Sequence, residues 1–192
     1  MTSPTTAQLE NGARAVAFRA WQLAGVAMML HAGEVLRGAD QRSLYTIQNA
    51  LVESALVNAR GLAWFLTAHG NDVSLEMYGL PRDDEVGKLR GVIVSTISQH
   101  VSHVTTGRPE GEPLPGAWPI CELADVLVGR LAQSVRELEA SDPIKATWFD
   151  PSPIETQHEL LAETSGFATT ISDNPAVGRL TTALQRYLSS RI

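Results

Sequence analysis

Two imidazoles and a carboxylate are the chain's best candidates for chemistry. His100 and His103 stand three residues apart in LRGVIVSTISQHVSHVTTGR, residues 89–108. Leu89, Ile93 and Ile97 recur there at helical spacing, and His100 takes the next place on that stripe. An imidazole titrates near neutrality, so one held at a core position can move a proton or bind a ligand. More commonly such a group hydrogen-bonds a carboxylate or carbonyl and serves the fold. On residues 41–69, Asn49, Glu53 and Arg60 return to one side of a helix in steps of four and seven. A carboxylate, an imidazole and a guanidinium on adjoining faces suit proton transfer or anion binding. They suit equally a buried polar network in which each satisfies the others. The candidate catalytic residues are therefore Arg60, His100, His103 and Glu53. Asn49, Arg108 and Trp118 are the candidate ligand contacts: the guanidinium can grip phosphate in two places, and the indole can stack or simply cap the core.

Other chemistries find less support. His100, His103, Glu53 and His31 are acceptable ligands for zinc or iron, yet there is no Glu-x-x-His pair and no His-Glu-x-x-His. Neither a metal nor a cofactor is expected. No nucleophile elbow or phosphate-cradling glycine motif is present. Cys121 stands in an apolar helix start and is expected to be inert.

The elements that must position these residues are all helical. Apolar periodicity predicts helices over about 7–37, 41–69, 84–105, 118–140, 154–165 and 175–190. Ser3-Pro4 or Thr5-Thr6 offers the first start, and Gly25 weakens that helix without stopping it. Gly38-Ala39-Asp40 and Gly70-Asn71-Asp72 read as stops, and Asp83 and Asp84 as the start of the third helix. Residues 73–83, 107–116 and 141–153, with their prolines and glycines, read as connections. The expectation is an all-α fold: an up-down four-helix bundle over 1–140, with short additional C-terminal helices over 141–192 packed on the same domain.

Antiparallel helices allow residues to be placed by level. The turn near 37–42 sets His31 beside about Gln48, and the meeting of helices near 69 and 84 sets Glu53 beside His100. One end of the bundle then gathers His31, Asn49, Glu53, His100, His103, Cys121 and Glu122.

A family likeness attaches to these residues. NALVESALVNARGLAWFL (Asn49–Leu66) resembles the second-helix pattern of uncharacterised bacterial HEPN-like proteins, in which an acidic residue precedes an Ala-Arg pair. ISQHVSHVTTGR (Ile97–Arg108) is similar to their third-helix ending, and Trp118 matches a following tryptophan. The likeness covers roughly residues 41–140. It implies a four-helix bundle, often dimeric, from a superfamily rich in metal-independent ribonucleases of toxin and defence systems. Those nucleases pair an arginine with a histidine across four to six intervening residues. Here no arginine precedes any of His31, His69, His100, His103 or His158 at that distance.

Composition narrows the partners. A net charge of −6 disfavours a general grip on nucleic acid, so DNA is not expected, while RNA remains the partner that the resemblance implies. One cysteine in 192 residues fits a reducing compartment, and no apolar run reaches membrane-spanning length. A cytoplasmic location with no membrane partner is the expectation. Two functions follow: a HEPN-like helical protein that binds or cleaves RNA at its polar end, or a non-catalytic interaction protein that forms a homodimer through apolar helix faces. A metal-binding bundle stands behind both.

Overall fold

A capping box starts the chain. In the computed structural model, which describes residues 4–32, 41–68, 73–101, 118–150 and 175–190, Thr5 N donates to Gln8 Oε1 at 2.8 Å. Gln8 N donates back to Thr5 Oγ1 at 3.3 Å, so two otherwise unpaired donors are satisfied. Helix α1 (Thr6–Ala32) follows and passes through Gly25 unbroken. The stop expected at residues 38–40 lies outside the described residues.

Helix α2 spans Gln41–Thr67 and ends before the glycine expected to stop it. Ala68 turns left-handed, at φ 57°, and residues 69–72 lie outside the described residues. The cause is the arrival of the next element. Asp83 N donates to the Leu66 carbonyl at 2.9 Å, and Thr67 Oγ1 donates to the Ala63 carbonyl at 2.7 Å. The last carbonyls of α2 are thus satisfied by neighbours rather than by another helical turn. Between them, Leu75–Tyr78 forms one 3₁₀ turn, closed by Gly79 at φ 91°.

Helix α3 (Asp84–Val101) is capped by Asp83, whose Oδ1 accepts from Val86 N at 2.9 Å. Its expected extension to 105, and the loop 107–116, lie outside the described residues. Helix α4 (Ile120–Ser141) buries Leu123, Leu127, Leu131 and Leu138, the stripe expected of it. The stretch after it departs from the expected extended connection, because Pro143–Thr147 forms a short helix, α5. Asp142 Oδ1 accepts from Lys145 N at 3.2 Å, and Pro143 occupies the first turn, where its missing N–H costs nothing. The helix expected over 154–165 lies outside the described residues. Helix α6 (Pro175–Ser189) is the last. No strand occurs among the described residues, and the fold is all-α.

Helix α1 packs on α2 and α4, α2 on α3, and α6 on both α3 and α4, which touch each other little. Asn58 Nδ2 donates to Gln22 Oε1 at 3.1 Å, and Arg19 lies across Gly61, so α1 and α2 run antiparallel. Cys121 Sγ donates to the Ala27 carbonyl at 3.7 Å, setting the start of α4 beside the end of α1. Leu23, Leu62, Leu66, Ile93, Leu123, Leu127 and Leu131 fill the middle. Each such side chain contributes about 1.5–3 kcal/mol of burial. At one end Phe65, Tyr78 and Phe149 form a three-ring cluster with centroids 5.0–5.9 Å apart, and the Tyr78 hydroxyl donates to the Leu9 carbonyl at 2.6 Å. Among the described residues, no helix is long and apolar enough to cross a membrane.

Candidate functional site

The end of the bundle opposite the three rings carries the polar residues. His31 lies half-buried in the last turn of α1, and Asn49 and Glu53 lie half-buried on α2. At the start of α4, Trp118 is buried with 7 % exposure, Pro119 occupies the cap, and Cys121 and Glu122 follow. Trp118 therefore packs as a cap on the core rather than standing open as a stacking platform. The Cys121–Ala27 contact brings Cys121 within a turn of His31.

Two acids dominate this end. Glu122 is half-buried, and Asp125, one turn on, is buried. Burial raises the Glu122 carboxyl above the ordinary carboxylate range, and the Asp125 charge adds to the effect. Burial likewise pushes the Cys121 thiol up to about 11, so the sulfur is a protonated thiol at neutral pH and a poor nucleophile. His31, Glu53, Glu122 and Asp125 each engage a neighbour. What this end offers chemically is an acid that holds its proton longer than usual, with the His31 imidazole at the same end of the bundle.

Arg60 does not join that end. Its guanidinium carbon lies 5.0 Å from the ring centroid of Trp64, one turn along the same helix. Seven residues of helix, about 10 Å, separate it from Glu53. His100 lies in the last turns of α3 by backbone; its side chain, and all of His103 and Arg108, lie outside the described residues. Of the seven candidates, Asn49, Glu53 and Trp118 thus belong to the polar end, and Arg60 stands two turns away. Among the described residues, no group of three or more His, Cys, Asp or Glu is placed to hold a metal ion.

A second site was absent from the sequence expectations. Phe18 and Trp21 project outward from α1 with 54 % and 53 % exposure, stacked at 5.9 Å with 26° between the ring planes. With Arg14 and Ala17 they form one wall of a groove of about 580 Å³. Thr147, Trp148 and Asp150, at and after the end of α5, form the other wall. Asp150 adopts φ 46°, a left-handed conformation that Asp tolerates better than most residues. The Arg14 guanidinium is engaged by Glu10 at 2.6 Å. The available signal was an aromatic pair three residues apart, off the stripe of Val16 and Leu23.

Compared with family models, with curated proteins and with solved structures, the chain matches none.

Proposed function

We propose that this protein is a helical interaction module that self-associates through the outer face of α1 and α2. The observation that carries this reading is where the exposed large apolar side chains fall. Among the described residues, Phe18 and Trp21 on α1 and Ile47 and Val57 on α2 account for four of the five, the other being Ile144. Ala50 and Ser54 lie on the same outward side of α2 as Ile47 and Val57, by helical periodicity. That stripe carries no charge, whereas a solvated helix face is ordinarily polar. These side chains flank a seam where Arg19 lies across Gly61, and a patch of this kind on an antiparallel helix pair can meet its own copy about a two-fold axis, the commonest oligomer geometry. Sedimentation equilibrium tests the reading: a dimer is expected at micromolar concentration, and Val57→Glu is expected to shift it to monomer with the fold intact. A wild-type chain that remains monomeric at 100-fold higher concentration overturns it.

A second reading, action on RNA at the polar end, is supported by the raised Glu122 carboxyl beside Asp125. A proton-holding acid can serve as a general acid in phosphodiester cleavage. The test is labelled RNA offered to the full chain and to Glu122→Gln, His100→Ala and Arg60→Ala variants. Cleavage is expected to fall at least 100-fold in Glu122→Gln; cleavage indifferent to all three changes rules the reading out.

A further inference from the structure

We infer that the groove between α1 and the Thr147–Asp150 turn binds an organic cation carried on an apolar body, of the arylalkylammonium class. Three observations point the same way. Phe18, Trp21 and Trp148 line the groove, and the faces of such rings attract cations. Trp148 stacks on no other ring among the described residues, whereas Phe18 and Trp21 stack on each other. On the far wall stands the Asp150 carboxylate, which makes no ion pair among the described residues. The groove's cation, Arg14, is already engaged by Glu10 at 2.6 Å. Among the described residues, the groove's charge outside an ion pair is therefore that of Asp150, and the surface beside it is aromatic.

Size and shape agree. A volume of about 580 Å³ exceeds what a bare ammonium fills and lies in the usual range for small-molecule sites. An ammonium at Asp150 would leave its apolar body between Trp21 and Trp148, with Ala17 giving room on the α1 side. The groove shares Phe18 and Trp21 with the face proposed for self-association, so binding is measured on the Val57→Glu chain as well as on the wild type, which separates failure of one reading from failure of the other.

The full chain is titrated with benzyltrimethylammonium, benzyl alcohol and phenylacetate, followed by tryptophan fluorescence and calorimetry. The cation is expected to bind at least tenfold more tightly than the neutral and anionic probes. Asp150→Asn, which Asn tolerates at φ 46°, is expected to erase that preference and leave the alcohol unaffected. Trp21→Ala, at a half-exposed position, is expected to weaken all three probes. Arg14→Ala is expected to tighten the cation a few fold by removing a like charge from the rim. Tightest binding of phenylacetate, equal binding of cation and alcohol to wild type, or affinities unchanged in both Asp150→Asn and Trp21→Ala each overturn the inference. Circular dichroism and thermal unfolding of each variant separate lost binding from lost fold.

Discussion

Tyr78 shows how much a single side chain can tie down. Its hydroxyl reaches across to the Leu9 carbonyl, and its ring meets Phe65 and Phe149. Burial pushes its ionisation up to about 12 from an ordinary 10.0. The folded protein therefore holds that proton more tightly than the unfolded chain does. The stabilisation is complete below pH 10 and is lost as pH rises toward 12. Tyr78→Phe is expected to cost about 1 kcal/mol at pH 7, the worth of one hydrogen bond, and to flatten that alkaline decline. Urea unfolding at pH 7, 10 and 11.5 checks both. Gly12 belongs to the same contact: a Cβ there would meet Val73 Cγ1 at 3.0 Å and the Tyr78 hydroxyl at 3.1 Å. Gly25 has open space around it. Gly12→Ala is thus expected to destabilise by about 1–3 kcal/mol through overpacking, while Gly25→Ala gains up to about 1 kcal/mol of helix propensity. Equal shifts of melting temperature in the two variants would contradict this. Nothing in the sequence separates the two glycines, because both sit in one Ala-rich helix and only the neighbouring 3₁₀ turn distinguishes them.

Among the elements, α3 depends most on one residue before its start. Asp83 caps it through Val86 N and pairs with Arg130 Nε of α4 at 2.6 Å. The carboxylate side chain is only 2 % exposed. Asp83→Ala is expected to cost about 3–5 kcal/mol, since it leaves Arg130 unpaired in a partly buried place and removes the cap. Asp83→Asn retains a capping oxygen and is expected to cost less; the ordering of urea midpoints tests it. The cap itself was legible, because an acidic pair before an apolar period is a local signal. The partner was not, for Arg130 lies 47 residues away and nothing local marks it. The same contrast explains α5. Five residues are too few to show a period, and Pro143 as a first-turn residue looks identical in sequence to Pro143 as a breaker. That left Trp148 and Asp150 in a supposed connection and hid one wall of the groove. Helices α2 and α4 were legible because their buried positions repeat over about four and five turns, Val52 to Thr67 and Ile120 to Leu138.

For the molecule as a whole, α6 is more than an appendage. It packs on both α3 and α4, which otherwise touch little, and buries Val177, Leu180 and Leu184 fully. Leu180→Ala is expected to cost about 2–5 kcal/mol, as at any full core position, and to lower the urea midpoint with its slope unchanged. Loss of α6 alone, with α1–α4 intact, would appear instead as a second transition. The amphipathic stripe of α6 was visible in the sequence, but not where it would dock, because that depends on a gap that exists only once α3 and α4 are placed. The polar end was legible in outline through antiparallel levels, and the Cys121–Ala27 contact places the start of α4 there. The exposed aromatics of α1 were not legible, because an apolar residue off a buried stripe carries no local mark of the groove it lines.

The three-ring end sets an order for folding. Its contacts join parts of the chain far apart in sequence, with 69 residues between Leu9 and Tyr78 alone. The α1–α2 and α2–α3 pairs, by contrast, need only adjacent helices to meet. Closing long loops costs more entropy before any contact repays it, so the rings come together late. Substitution at Phe149 should then speed unfolding while leaving the folding rate nearly untouched. The end that ties Leu9 to Tyr78 in the finished protein is the last to be fastened.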